Sequence, residues 1–323
     1  MILRRLVLAG AALLPGIAVA QPAPARGSGW TIYAPLSAPP ASTTPASVQP
    51  EPQPPRPPAG MQWLYGSGEG AAASVQAYRA FRDYVLAVAR HPPRYSVVMW
   101  MNATLAAPSF YNCAGNRRLA VVLDVDETAL LNLGAEYDDA MHPGRPYDQQ
   151  RWNRWEQTGA ARVAPAPGAV EALAAIRRAG VTVIFNSNRL AENAAQTEAA
   201  LNGAGLGPAR YGPLSRGRTL YLKGDADIDV EPTSRKDQRR AVIASNYCVI
   251  AMAGDQLGDF TDLFNADGLG VAARRAAATG PIARMWGHGW FILPNPVYGT
   301  GLRGTLDDVF PADRRWSDPQ GGN

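Results

Sequence analysis

The chain has 323 residues, of which 46% are hydrophobic, and its 31 basic and 27 acidic side chains give a formal net charge of +4. This length provides a core for one large domain or two small ones. Because Arg4 and Arg5 lie in an N-terminal segment that we expect to be removed, the mature charge is nearly balanced, which argues against a surface for nucleic-acid polymers.

The N-terminus has the pattern of a secretory signal peptide. Arg4 and Arg5 precede an apolar run that is broken by Pro15, and an Ala-x-Ala cleavage site ends at Ala20. The run is too short for a membrane span, no later segment is apolar for long enough, and no cysteine near the cleavage site could carry a lipid anchor. We therefore expect residues 1–20 to be cleaved and the mature protein to reach the periplasm.

Residues 21–60 are crowded with Pro, Ala, Ser and Thr, a composition that favours a disordered linker because it cannot bury enough apolar surface. We expect the folded domain to occupy residues 61–323. It should begin with a helix after Gly70, because apolar residues recur there at helical spacing, namely Val75, Tyr78, Phe81, Val85 and Val88.

An acidic cluster follows the apolar strand predicted at residues 121–123. Asp124 and Asp126 would be costly to desolvate at the carboxyl end of a buried strand unless a cation lies beside them. That end of an α/β sheet is also where ligands bind, and oxygen ligands suit Mg²⁺. On spacing alone, an ordinary Asp-rich turn is the alternative.

The segment between this cluster and the next predicted strand is rich in aromatic residues, namely Tyr137, Tyr147, Trp152 and Trp155. They could pack a helical cap or form a stacking platform for a nucleoside base, and the sequence leaves both interpretations open. A helix is predicted at residues 167–179, with a buried stripe formed by Val170, Leu173, Ala174 and Ile176.

Further strands are predicted at residues 181–185, 219–222, 249–252 and 290–293. The first ends in Ser187, Asn188 and Arg189, where a hydroxyl and backbone N–H groups could bind a phosphoryl oxygen. Arg189 could add a contact or merely pair with nearby acids. Strands that alternate with helices in this way predict an α/β fold with a parallel sheet.

Three aspartates after the strand at residues 219–222 have the spacing of a calcium loop, namely Asp225, Asp227 and Asp229. Val230 and Lys236 replace the glycine and the closing glutamate that such a loop requires. We therefore predict a solvated acidic loop here.

Two separate segments resemble one known family. Residues 121–128 resemble motif I of the haloacid dehalogenase (HAD) superfamily in the Asp-x-Asp-Glu-Thr form of bacterial class C acid phosphatases (subfamily IIIB). Residues 254–260 resemble the second signature of the same family. The resemblance implies a Rossmann-like parallel sheet with helices on both faces and a small helical cap at about residues 133–166.

The resemblance also implies the roles of individual residues. Asp124 would be the nucleophile and Asp126 the general acid and base, while Ser187 and Lys236 would contact the phosphoryl group; Lys223, the only other lysine, is the less favoured candidate. Mg²⁺ would be held by Asp124, the Asp126 backbone carbonyl, Asp255 and Asp259. The leaving group would meet Asn188, Tyr147, Trp152 and Tyr298.

The implied function is Mg²⁺-dependent hydrolysis of small phosphate monoesters, especially nucleoside 5′-monophosphates, through an aspartyl-phosphate intermediate. A non-catalytic storage or nucleotide-binding protein on the same fold and a phosphotransferase are the alternatives, and a homodimer is one option for the oligomeric state. Because the strands after Cys113 and Cys248 are neighbours in a HAD sheet, the resemblance also suggests a disulfide between them.

Overall fold

A computed structural model describes residues 56–113, 118–214, 217–229 and 233–320. The predicted signal peptide at residues 1–20 and most of the predicted linker at residues 21–60 lie outside the described residues. Within the described ranges, no helix is long and apolar enough to cross a lipid bilayer.

Strands and helices alternate along most of the described chain. The strands are β1 (Tyr95–Met99), β2 (Phe110–Asn112), β3 (Arg118–Leu123), β4 (Leu130–Leu131), β5 (Ala164–Pro165), β6 (Thr182–Leu190), β7 (Leu220–Lys223), β8 (Tyr247–Gly254) and β9 (Trp290–Ile292). The helices are α1 (Ala59–Met61), α2 (Gly68–Ala89), α3 (Leu133–Ala140), α4 (Gln149–Thr158), α5 (Ala169–Arg178), α6 (Ala194–Gly203), α7 (Asp237–Asn246), α8 (Val271–Thr279) and α9 (Leu306–Val309).

A central sheet organises the described residues. Its five strands follow the order β7-β6-β3-β8-β9, and every neighbouring pair is parallel. β8 is buried along its whole length and β3 from Ala120 to Leu123, as expected for inner strands that helices cover on both faces. The predicted α/β class with a parallel sheet is therefore confirmed.

Two apolar cores lie on opposite faces of this sheet because successive strand residues point to opposite sides. Val121 and Leu123 face the core that α2, α5 and α6 cover. Ala120 and Val122 face the other core, to which β1, α7 and α8 contribute. The helices on both faces, predicted from the family resemblance, are confirmed.

The predicted helical stripes are largely confirmed. In α2, Tyr78, Phe81 and Val85 are buried, and the Ser67 hydroxyl caps the helix by accepting from the Gly70 N–H at 2.9 Å. In α5, Leu173 and Ile176 are buried as expected. Val170 is exposed, which was not expected, because the buried face of α5 is completed by Ala169 and Ala172 instead.

The disulfide that the resemblance suggested is present and joins two segments far apart in sequence. Cys113 follows β2 and Cys248 is the second residue of β8, with their Cα atoms 5.0 Å apart. The bond therefore ties the β1–β2 hairpin to the amino end of an inner strand of the sheet.

The prediction of a solvated acidic loop after β7 was wrong for Asp225. This residue is buried and pairs with the guanidinium of buried Arg218. The guanidinium lies between the rings of Tyr211 and Tyr221, 4.5 and 4.7 Å from their centroids. The buried cation supplies the countercharge that lets Asp225 leave water.

Candidate active site

The parallel register brings three strand ends to one edge of the sheet. Leu123 of β3 pairs with Phe185 of β6 and with Ala253 of β8, so the polar residues that follow begin at the same level. Gly254 is needed at this edge, because a Cβ there would lie 2.3 Å from the Cβ of Asp259. The glycine allows the chain after β8 to turn closely past the strand end.

The loop after β3 is held in a strained conformation around Glu127. This residue has φ of 51°, a left-handed value that costs a non-glycine residue about 1–2 kcal/mol. Its carboxylate accepts from the Asn132 N–H at 2.8 Å, from the Asn132 side-chain amide, and from the Tyr298 hydroxyl. Burial and the nearby charge of Asp126 raise the pKa of Glu127 to about 7.

A cluster of three carboxylates from two loops lies at this edge of the sheet. Oxygens of Asp124, Asp255 and Asp259 lie within 4.8 Å of one another. Burial and the charge of Asp259 raise the pKa of Asp255 to about 6, and the same two causes raise the pKa of Asp124. Such mutual repulsion between buried carboxylates makes this cluster a candidate divalent-metal site.

The Asp255 carboxylate is fixed by neighbours from three parts of the chain. It accepts from Thr128 Oγ1 at 2.7 Å, Asn295 Nδ2 at 2.8 Å and Gln256 Nε2 at 3.1 Å. These donors use both carboxylate oxygens and set the orientation of the group toward the cluster.

Lys236 provides the cation that contacts this cluster. Its Nζ lies 2.6 Å from Asp124 Oδ1 and 2.7 Å from Asp259 Oδ1. Although burial lowers the pKa of Lys236, the two carboxylates raise it above its usual value. The sequence favoured Lys236 over Lys223, and the structure brings Lys236 to the carboxylates while Lys223 lies at the end of β7.

Asp126 lies beside this cluster with a different set of partners. Arg189, which is almost fully buried, reaches Asp126 Oδ1 with Nε at 2.9 Å and Nη2 at 2.8 Å. Of the two roles considered for Arg189, a ligand contact or an ion pair with a nearby acid, the structure shows the ion pair with Asp126. The Asn132 amide also donates to Asp126 Oδ1 at 3.0 Å, and Ser187 Oγ lies 3.3 Å from Oδ2.

A side chain from α7 holds the carboxyl-terminal part of β6. Arg239 donates to the Ser187 carbonyl oxygen and to Asn188 Oδ1, both at 2.6 Å, and Asn188 Nδ2 donates to the Ser234 carbonyl oxygen at 3.0 Å. Arg239 is fully buried, so these contacts fix the strand end rather than reach a ligand. Part of the Asn188 surface lines the cleft that opens above the carboxylates.

A cleft of about 760 Å³ opens above the carboxylates. It is lined by all of the predicted site residues except Ser187, namely Asp124, Asp126, Asn188, Tyr147, Trp152, Lys236, Asp255, Asp259 and Tyr298. Ser187 is fully buried and directs its hydroxyl at Asp126. Trp155 joins Tyr147 and Trp152 in the cleft wall, whereas Tyr137 is 69% exposed and does not line the cleft.

Several residues at the site were not assigned a role from the sequence, namely Glu127, Thr128, Asn132, Glu136 and Asn295. Glu127 and Thr128 stand inside the motif that carried the family resemblance, so their presence was visible but their partners were not. Asn132 and Asn295 act through hydrogen bonds across long loops, which leave no spacing pattern.

Two kinds of comparison place these features among known proteins. A family model described as HAD superfamily, subfamily IIIB (acid phosphatase) matches residues 77–301. The Class C acid phosphatase from Bacillus anthracis is 23% identical, with a TM-score of 0.56 over 78% of this chain and 89% of that one. Its tungstate-bound crystal structure is also 23% identical, with a TM-score of 0.57 over 81% and 91%. The solved structures share the fold, and the family match spans most of the described chain.

Proposed function

We propose that this chain, which belongs to the HAD superfamily, subfamily IIIB (acid phosphatase), and is a phosphomonoester hydrolase, acts on nucleoside 5′-monophosphates with Mg²⁺ as its metal. The observation that carries the proposal is the cluster of Asp124, Asp255 and Asp259 beside Lys236 on the floor of an aromatic cleft.

The reaction would proceed in two steps on Asp124 and Asp126. A carboxylate oxygen of Asp124 forms a bond to phosphorus while the ester P–O bond breaks, and Asp126 gives its proton to the leaving oxygen. Asp126 then takes a proton from water, whose oxygen attacks phosphorus and releases phosphate from Asp124. Lys236 would hold Asp124 in position and offset charge on the phosphoryl oxygens.

Ser187 takes a different role in this proposal from the one that the sequence suggested. Its buried hydroxyl accepts from the Arg189 N–H at 3.1 Å and lies 3.3 Å from Asp126 Oδ2. We therefore assign Ser187 to orienting Asp126, and we leave the phosphoryl contacts to groups that line the cleft.

The residues present fit a divalent cation. The Lys236 ammonium group contacts two of the three carboxylates, and burial together with mutual repulsion raises the pKa of both Asp124 and Asp255. Asp124, Asp255 and Asp259, with the predicted carbonyl of Asp126, form an all-oxygen donor set of the kind that Mg²⁺ prefers. When bound, the ion would supply a positive charge that lets a phosphate anion approach these carboxylates.

The walls of the cleft support the proposed substrate class. Tyr147, Trp152, Trp155 and Tyr298 line the same cleft as Asp124 and offer aromatic surface to a ligand there. The volume of about 760 Å³ falls in the range of small-molecule sites. A planar base stacked on these rings would carry its 5′-phosphate toward the acidic floor.

The metal proposal is tested by phosphate release from metal-depleted protein. We expect turnover of nucleoside 5′-monophosphates to return when Mg²⁺ is added, and Asp255→Asn to require far more Mg²⁺ because it removes one negative charge from the donor set. Asp83→Asn, which alters an exposed carboxylate on α2, is the control. Full turnover without any divalent ion, or an unchanged Mg²⁺ requirement in Asp255→Asn, would contradict the proposal.

The nucleotide proposal is tested separately with a matched pair of substrates. Trp152→Ala should raise KM for a nucleoside 5′-monophosphate by about tenfold, because base stacking on an aromatic side chain contributes roughly 1–3 kcal/mol. The same variant should leave KM for glycerol phosphate nearly unchanged, since that substrate carries no ring. Equal changes for both substrates would show that the cleft does not recognise a base.

An oxyanion test follows from the relative whose structure has tungstate bound. Tungstate has the tetrahedral shape and negative charge of phosphate, so we expect it to inhibit this chain in competition with substrate. Inhibition that does not weaken as the substrate concentration rises would place tungstate elsewhere.

Export to the periplasm remains part of the proposal. The Arg pair, the apolar run and the Ala-x-Ala site at residues 1–20 support a cleaved signal peptide, followed by a linker to about residue 60. Sequencing the N-terminus of the protein isolated from periplasm should give Gln21. An intact Met1, or protein found only in the cytoplasm, would contradict this assignment.

A further inference from the structure

The two carboxylate oxygens of Asp126 are surrounded differently. Oδ1 accepts from Arg189 Nε at 2.9 Å and from Asn132 Nδ2 at 3.0 Å, and it lies 2.8 Å from Arg189 Nη2 in the same ion pair. Oδ2 has only the longer 3.3 Å contact with Ser187 Oγ among the described residues. Since Oδ1 is surrounded by N–H donors, Oδ2 is the oxygen that can carry a proton toward a leaving group.

The Asn132 amide keeps this arrangement only in one orientation. Asn132 is fully buried, and its Oδ1 accepts from Arg189 Nη2 at 2.8 Å and from Trp155 Nε1 at 3.1 Å. If the amide turned over, its NH₂ group would meet two other N–H donors, and its oxygen would face Asp126 Oδ1. The indole N–H of Trp155 therefore helps to point the Asn132 NH₂ group at Asp126.

Trp155 is seated tightly between two glycines. A Cβ added to Gly134 of α3 would come within 2.7 Å of its ring, and a Cβ added to Gly159 at the end of α4 within 2.2 Å. Both positions are thus limited to glycine by the place that the indole occupies. This close seating fixes the direction of the N–H bond.

The helix that carries Trp155 is also tied to the strand that carries Arg189. Glu156, the next residue of α4, accepts from the Leu190 N–H and from Asn193 Nδ2, both at 2.9 Å. Leu190 follows Arg189 at the end of β6. The position of α4 therefore sets the position of both donors to the Asn132 oxygen.

We propose that Trp155 is a positioning residue for proton transfer, which acts through the Asn132 amide to hold Asp126 with Oδ2 toward the leaving oxygen. This inference rests on the proposed role of Asp126 as general acid. In the step concerned, the P–O bond to the leaving group breaks while a bond from Asp124 forms, and the proton on Asp126 Oδ2 moves to the departing oxygen. The indole N–H of Trp155 would thus help to position the general acid, while its ring forms part of the cleft wall.

Leaving-group chemistry separates positioning from binding. Phenyl phosphate releases a poor leaving group that needs a proton, whereas 2,4-dinitrophenyl phosphate releases one that departs without it. General acid catalysis is worth about 10²–10⁴-fold, so partial misplacement of Asp126 should lower kcat/KM for phenyl phosphate by about tenfold and for the dinitrophenyl ester by less than about twofold. A change that only loosens the protein or the cleft would lower both values together.

The first variant is Trp155→Phe, which keeps an aromatic ring and removes the N–H donor. Its matched control is Trp152→Phe, the same substitution one helical turn earlier in the same cleft wall, at a residue with no bond to Asn132. We expect Trp155→Phe to change the ratio of the two kcat/KM values by about fivefold or more. We expect Trp152→Phe to leave that ratio within about twofold, whatever it does to KM.

The second variant, Gly134→Ala, reaches the same bond from the other side. It pushes on the indole ring without removing a polar group, so it should alter the ratio in the same direction. In a Trp155→Phe background the added methyl group should have no further effect on the ratio. Thermal unfolding of each variant confirms that the compared proteins are folded.

Failure of this inference is distinguishable from failure of the proposed function. If Asp126→Asn lowers the phenyl phosphate value far more than the dinitrophenyl value while Trp155→Phe and Gly134→Ala leave the ratio unchanged, Asp126 is the acid and the positioning role of Trp155 is wrong. If Asp126→Asn itself leaves the ratio unchanged, the general-acid assignment fails. The inference stands if all three variants shift the ratio and Trp152→Phe does not.

Discussion

At the scale of single residues, buried carboxylates dominate the electrostatics beside the cleft. Glu136 is 6% exposed, and its burial together with the charge of Glu127 raises its pKa to about 8. Burial and Asp126 likewise raise the pKa of Glu127 to about 7. Each group keeps its proton in the folded state over a pH range in which the unfolded chain releases it, so protonation and folding are linked.

The sign of this linkage predicts that the metal-free protein is less stable at pH 8 than at pH 5. Below pH 4.5, the ordinary pKa of a glutamate, Glu136 is protonated in both the folded and the unfolded state. Between pH 4.5 and about pH 8 the folded state binds more protons than the unfolded state. The free energy of unfolding therefore falls as pH rises through this range. Glu136→Gln, whose amide resembles the protonated acid, should make that fall shallower. Urea unfolding at several pH values in a chelator measures it.

Glu171→Gln, at an exposed position on α5, is the control and should leave the slope as it is in the wild type. A Glu136→Gln protein with the same dependence on pH as the wild type would show that this carboxyl does not hold its proton in the fold.

A second prediction at this scale concerns Lys236. Lys236→Met removes the ammonium group that contacts two buried carboxylates, so the metal-free protein should lose about 3 kcal/mol of unfolding free energy at pH 7. Mg²⁺ should restore part of that loss, because a cation would again lie beside Asp124. Urea titrations with and without Mg²⁺ measure both effects.

Lys223→Met, at the edge of the cleft, provides the comparison and should change stability by less than about 0.5 kcal/mol. Equal losses in the two variants, or a loss in Lys236→Met that Mg²⁺ leaves untouched, would argue against a metal site at these carboxylates.

Residues could be predicted from the sequence where chemistry and position coincide. Asp124 and Asp255 each follow an apolar strand, and a parallel sheet puts such residues at one edge. Ser187 met the same criterion because β6 was predicted to end at Phe185, yet Ser187 lies within β6, is buried and faces Asp126. The role of Asn132 could not be predicted from the sequence, because it depends on Trp155 and Arg189 from distant segments.

At the scale of elements, apolar runs located the inner strands, but polar ends and short strands escaped detection. β6 was predicted to end at Phe185 and continues to Leu190, because Asn186 and Ser187 still pair with Tyr221 and Leu222 of β7. Because these side chains are polar, hydrophobic periodicity, which detects only the burial of apolar residues, does not predict this extension of the strand. The antiparallel pairs β1–β2 and β4–β5 were not predicted, and β2, β4 and β5 have only two or three residues each.

The disulfide makes a prediction at this scale. It closes a chain segment of 135 residues between the β1–β2 hairpin and β8, so its loss should free the unfolded chain and lower stability. A Cys113→Ser, Cys248→Ser double variant should lose about 2–4 kcal/mol of unfolding free energy, measured by urea titration. Reductant should destabilise the wild type and leave the double variant unaffected. Equal stability of reduced and oxidised wild type would mean that this bond contributes little.

At the scale of the whole molecule, the sheet and the predicted cap region (about residues 133–166) contribute different parts of the site. The sheet edge presents Asp124 and Asp255 from two adjacent strands, and α7 begins beside Lys236, which points at both loops. The cap region contributes α4, whose Trp155 reaches back to the loop after β3. Although the chain has a net charge of +4, the floor of its cleft is acidic. This local negative charge favours binding of a metal ion first and of an anionic substrate after it.

The central claim is that the Asp124 carboxylate takes the phosphoryl group. Acid quenching during turnover of a nucleoside 5′-monophosphate, followed by borohydride reduction and peptide sequencing, measures this directly, because an aspartyl phosphate is reduced to homoserine. We predict homoserine at position 124 in the wild type, none without substrate and none in Asp124→Asn. Phosphate release with aspartate intact at position 124, or homoserine at any other position, would contradict it.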